Sequence, residues 1–85
     1  MSRHHKEDSA EYIVKKIVKQ LKLLRLAQGM SHEVLAQKTG ITRPAISHIE
    51  NGKRKPSLLL SIKLANALDK QLSEILHQAE TDDEE

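Results

Sequence analysis

HEVLAQKTGITRPAISHIEN, residues 32–51, reads as two short helices joined by a turn that holds a single glycine. Ser31 stands just ahead as an N-cap, because its hydroxyl can accept from an orphan amide of the first turn. Val34, Leu35 and Ala36 supply the apolar side of the first of these helices, and Ala36 is small because the second helix crosses close to it. Gly40 supplies the positive φ that turns the chain sharply. Thr42 caps the second helix, with Arg43 and Pro44 in its first turn, where proline is tolerated because those amides lack intrahelical partners. Ile46 and Ile49 lock that helix onto the first. Its free face is then Thr42, Arg43, Pro44, Ser47 and His48, short or polar residues pointing away from the core. An α-helix fits the major groove of B-form DNA, and residues near its N-terminus reach base edges.

Outward from this unit the chain is helical throughout. Upstream, Ile13, Ile17, Leu21 and Leu24 recur at the helical period, with Val14 and Val18 flanking, so a helix is expected from about Ser9 to Gln28, stopped by Gly29. Downstream, Asn51-Gly52 ends the second helix of the unit and the basic loop Lys53-Arg54-Lys55-Pro56 follows. Ser57 caps a fourth helix carrying Leu60, Leu64, Ala65 and Leu68. A short fifth spans about Leu72 to Gln78. Alternating apolar stretches and hairpin signals are absent, so no strand is expected. The expected fold is all-α, with five helices in one domain over 10–79, a flexible N-terminus over 1–9 and a disordered acidic tail over 80–85.

Composition narrows the function classes. In 85 residues there is no cysteine, which removes disulfides, thiolate zinc sites and a thiol nucleophile and suits a reducing cytoplasm. No apolar run approaches the roughly 20 residues of a membrane span, and no signal peptide is read at the N-terminus. Tyr12 is the sole aromatic, which argues against single-strand binding on stacking platforms. The net charge of +2 conceals a segregation: from Tyr12 to Leu68, eleven basic residues face two acids, whereas from Asp69 onward seven acids face Lys70 alone. A basic body with an acidic end suits a polyanionic partner. Enzymatic readings find no support. Ser47 and His48 are adjacent and so point about 100° apart on a helix. There is no phosphate-binding glycine loop, and the histidines at 4, 5, 32, 48 and 77 lack ligand spacing. The pair His4-His5 is read as incidental, and neither metal nor cofactor is expected. The lysines at 15, 16, 19 and 22 are read as a solvated face.

From about Leu21 to Leu76 the chain resembles the Cro/phage-repressor, or xenobiotic-response-element-like (XRE), helix-turn-helix family, whose fold is lambda-repressor-like. The resemblance is carried in order by Leu24-Arg25, Ser31, Leu35-Ala36, Gly40, Ile46-Ser47, Ile49-Glu50-Asn51-Gly52, Pro56 and Leu64-Ala65-Ala67-Leu68. It implies sequence-specific binding of double-stranded DNA, with Thr42, Arg43, Pro44, Ser47 and His48 at the base-reading positions. It places His32, Asn51, Lys53, Arg54 and Lys55 on the sugar-phosphate backbone, His32 standing where a glutamine is usual. Arg25 and Glu50 match an internal salt bridge. Of the base-reading set, Arg43 suits a bidentate contact to guanine, and Pro44 offers only an apolar contact, as to a thymine methyl.

The function expected is that of a cytoplasmic regulator, a repressor or autoregulator, binding a palindromic operator as a homodimer. The dimer is expected through Leu72, Ile75 and Leu76 of the fifth helix, with Tyr12 and Ile13 adding to it. Three alternatives are an antitoxin that also binds a toxin protein, a restriction-modification controller, and a protein-interaction module without DNA binding.

Overall fold

The computed structural model describes the backbone of residues 6–81 and the side chains from Ser9 onward; the His4-His5 pair and residues 82–85 of the acidic tail lie outside the described residues. Five helices follow one another: α1 (Lys6–Ala27), α2 (His32–Thr39), α3 (Arg43–Glu50), α4 (Leu58–Ala67) and α5 (Leu72–Thr81). No strand occurs among the described residues. Three of the four later helices start with one device. The hydroxyls of Ser31, Thr42 and Ser57 accept from the amides of Val34, Ala45 and Leu60 at 3.1, 3.3 and 3.1 Å. At α5 the geometry is reversed, Glu74 Oε1 accepting from the Gln71 amide at 3.0 Å. The α2–α3 turn rests on Gly40 at φ +77°, whose amide donates to Ala36 O. Thr39 Oγ1 accepts from Ile41 N at 3.1 Å and tightens the same turn.

Every helix contributes to one aliphatic core. Leu21 comes from α1, Leu35 from α2, Ile46 and Ile49 from α3, Leu64 and Ala65 from α4 and Ile75 from α5, with Ile41 and Leu68 from the turns. Leu35, Ile46, Ile49 and Leu68 are completely enclosed. Val34, expected on the inner side of α2, faces outward, because an eight-residue helix turns only a narrow stripe to its neighbours and Leu35 fills it. Outside this core, Lys16 Nζ lies 5.4 Å from the centre of the Tyr12 ring, one turn earlier on α1.

Beneath the helix-turn-helix is a buried polar cluster. Arg25 is fork-bonded to Glu50, Nε to Oε2 at 2.7 Å and one Nη to Oε1 at 2.9 Å, and its other Nη donates to Met30 O at 2.8 Å. His32 Nε2 lies 2.9 Å from Glu50 Oε1 and donates to it. The Arg25 and Glu50 side chains are 10% and 8% exposed, so the pair is an internal one. Burial works against charge on Glu50, but the hydrogen bonds from Arg25 and His32, with their charges, outweigh it and hold the carboxyl below its ordinary range.

Two boundaries differ from those expected. α1 begins at Lys6 rather than Ser9. α5 runs through Glu80 and Thr81, beyond the expected end at Gln78, because Ala79, one turn beyond Ile75, is fully buried and continues the packed stripe. The three α5 residues expected at a dimer surface differ in exposure. Ile75 is 3% exposed and Leu72 packs against the same core; only Leu76 of the three is exposed. Ile75, enclosed by its own chain, has no apolar surface left for a second copy, whereas Leu76 keeps one.

Ile75→Ala is therefore expected to cost about 2–5 kcal/mol, and Leu76→Ala well under half of that; equal shifts in urea midpoint would show that α5 is not part of the monomer core. Glu50→Gln is expected to cost about 3–5 kcal/mol near neutral pH, by leaving the Arg25 charge buried without its partner. Because the folded state depresses the Glu50 pKa, its stabilisation is complete above the ordinary value of about 4.3 and is lost as pH falls through the folded-state value. Denaturation series in acid should thus fall more steeply for the native chain than for Glu50→Gln, and parallel curves would refute this role.

Candidate nucleic-acid interface

α3 is held by its inner face, Ile46 and Ile49, so its first turn and outer face stand in solvent. Arg43, Pro44 and His48 project there, beside the cap residue Thr42, and all three are exposed. Ser47 is partly enclosed, and its hydroxyl accepts from Asn51 Nδ2 at 3.4 Å. Arg43 Nε stands 3.6 Å from Glu33 Oε1 of α2, and both side chains are more than half exposed. Such a pair is worth only about 0–1 kcal/mol, so it leaves the guanidinium free to exchange partners.

The basic loop is anchored to the end of the same helix. The amides of Lys53 and Arg54 both donate to His48 O, at 2.8 and 3.2 Å, and Gly52 turns the chain at φ +78°. Lys53, Arg54 and Lys55 are exposed, as is Asn51, whose backbone caps α3. Their ammonium and guanidinium groups thus surround the C-terminal end of α3, while Arg43 stands at its start. Lys55 is partly engaged, its Nζ lying 3.3 Å from Glu11 of α1.

The structure brings together Thr42, Arg43, Pro44, Ser47, His48, Asn51, Lys53, Arg54 and Lys55 on α3 and the loop that continues it. His32 stands apart from the others. It opens α2 with its side chain one-third exposed, but Nε2 is committed to Glu50, so Nδ1 alone is left for an outside partner. Nothing in the spacing of the sequence signals this contact, which depends on how the start of α2 meets the end of α3. Among the described residues no group of three or more His, Cys, Asp or Glu is placed to hold a metal, and no helix is long and apolar enough to cross a membrane. The face offers charge-assisted donors at both ends of a helix of major-groove width, the equipment for holding phosphates and base edges.

The helix-turn-helix family model matches residues 21–75. An uncharacterised HTH-type transcriptional regulator of Bacillus subtilis is 36% identical over 55 residues, 65% of this chain and 83% of its own length. Another, from Sinorhizobium fredii, is 38% identical over 61 residues; these are 72% of this chain and only 31% of that relative. Among solved structures, the restriction-modification controller protein C.AhdI of Aeromonas hydrophila superposes with a TM-score of 0.67 at 40% identity, covering 74% of this chain and 94% of that one. With the family model spanning both helices of the motif and the helices that pack on them, the chain belongs to the helix-turn-helix family of DNA-binding transcriptional regulators.

Proposed function

We propose that the protein binds a palindromic operator in double-stranded DNA as a homodimer and represses transcription there, its own promoter included. The observation that carries this reading is the joining of two kinds of contact on one rigid element. Arg43, Pro44 and His48 project from α3, and the Lys53–Arg54–Lys55 loop is hydrogen-bonded to its end. In this reading Thr42, Arg43, Pro44, Ser47 and His48 face the bases, and Asn51, Lys53, Arg54 and Lys55 hold the backbone, with His32, when its ring is protonated, donating to a phosphate through Nδ1. A second function, control of restriction-modification genes, is favoured by the likeness to C.AhdI. Selecting bound sites from genomic DNA separates the two roles by whether they lie ahead of the regulator's own gene or ahead of restriction and modification genes.

One recognition helix reads too few base pairs to single out a genomic site, and two related by a two-fold axis read half-sites about 34 Å apart. With Ile75 in the core, the two most exposed apolar side chains lie on α4, ahead of Leu23 and Leu26 of α1 at 53% each. Leu58, Leu59 and Ile62 are 71%, 60% and 39% exposed and occupy neighbouring positions on the helix surface, with no acid on that helix. A second copy of the chain is the occupant, since the same patch on both copies is self-complementary.

Arg43→Ala is expected to lower specific affinity by about 1–3 kcal/mol and relax preference at one base pair, whereas Lys53→Ala with Arg54→Ala should weaken all duplexes alike and reduce the salt slope by about one for each phosphate released. Unchanged base preference in the first variant, or altered preference at a constant slope in the second, would reverse these assignments. Leu59→Asp with Ile62→Asp should sediment as a folded monomer with weakened operator binding; a dimer that survives both substitutions places the interface elsewhere.

A further inference from the structure

The first helix carries cations that the α3 face does not use. Lys15, Lys19 and Lys22 recur at i, i+4 and i+7, which puts them on one side of α1. That side is solvent-accessible at Lys15 and Lys19 and faces the basic loop. It forms one wall of a groove of about 410 Å³ whose other wall is the loop after α3, with Arg54 and Lys55 opposite. Five cations therefore converge on one channel that opens beside the recognition helix. Two carboxylates also line it, but the groove keeps a net positive charge. Glu50 is enclosed and already bonded to Arg25 and His32, and Glu11 is paired with Lys55 at 3.3 Å. Lys15 and Lys19 are exposed and Lys22 half-buried, and none of the three has an ion-pair partner among the described residues.

We propose that Lys15, Lys19 and Lys22 of α1 form, with Arg54 and Lys55, a second track that grips the phosphate backbone of duplex DNA alongside the segment read by α3. The dimensions agree. Seven residues of helix advance about 10 Å, and one DNA strand presents a charge every 3.4 Å or so of axis, so the row spans about three phosphates. Charge complementarity selects the ligand, because the groove offers ammonium and guanidinium groups and no aromatic platform for unpaired bases. The track rests on the DNA-binding reading of α3 and lengthens its footprint. The Lys55–Glu11 pair, more than half exposed on both sides, steers the loop's ammonium toward α1 without fixing it.

Duplex affinity is measured against salt concentration for the full chain and for Lys15→Gln/Lys19→Gln/Lys22→Gln, on a duplex selected from random sequence and on an unrelated duplex of equal length. The slope of log affinity against log salt should fall by about 0.9 for each phosphate no longer neutralised, equally on both duplexes, with base preference retained. Phosphate-ethylation interference should vanish at the phosphates next to the selected site and persist within it. A native slope and a native interference pattern in the variant overturn the second track. If the triple variant fails to fold, Lys15→Gln/Lys19→Gln, both at exposed positions, carries the same comparison. Absence of any salt-dependent duplex binding by the native chain would instead overturn the function proposed above, and the track with it.

Discussion

The carboxylate of Glu50 is the constraint on which the rest of the arrangement depends. It sits at the last turn of α3 and receives Arg25 from α1 and His32 from the start of α2. Arg25 extends the cluster to the α1–α2 turn through Met30 O. Four segments thus meet at one enclosed ion pair. Apolar contacts alone tolerate sliding, since Ile46 and Ile49 would remain buried after a small rotation of α3. A forked guanidinium–carboxylate pair does not, because its two hydrogen bonds are satisfied only in one register. The cluster therefore sets the angle at which α3 is presented, and with it the direction in which Arg43 and His48 project.

Much of this is legible in the sequence, and the reasons are local. Ser31, Thr42 and Ser57 announce helix starts because a cap needs only its own first turn, and Gly40 announces the turn because few other residues tolerate its φ. The periodic isoleucines and leucines identify the core for the same reason. What stays hidden depends on packing at long sequence separation. Ile75 looks the same whether it closes a monomer or joins two; only the placement of α5 against α1 and α4 decides. His32 likewise has no partner visible in its own neighbourhood, for Glu50 is eighteen residues away. The lysines of α1 read as a solvated face because spacing shows that they share a side of the helix and says nothing of the basic loop across from it.

The exposed ion pairs carry a different meaning from the buried one. Arg43–Glu33 and Lys55–Glu11 join groups that are all more than half exposed, at 3.6 and 3.3 Å. Solvent and salt screen them, so they steer side chains without locking them. Glu33 also lies beside the basic face, where it opposes the approach of any anion that Arg43 does not engage. Rigidity is thus concentrated below α3 and adaptability above it, a division suited to a surface that must meet its ligand with little rearrangement.

Tyr12 has a practical consequence. With no tryptophan and no second tyrosine in the chain, its ring is the dominant near-ultraviolet chromophore and fluorophore. That reporter sits early in α1 beside the ammonium of Lys16, remote in sequence from the helix-turn-helix. Intrinsic fluorescence and near-ultraviolet dichroism will therefore follow the first helix and its surroundings. Local loosening of α2 and α3 that leaves α1 in place will be optically silent, and needs backbone signals such as far-ultraviolet dichroism or amide exchange to be seen.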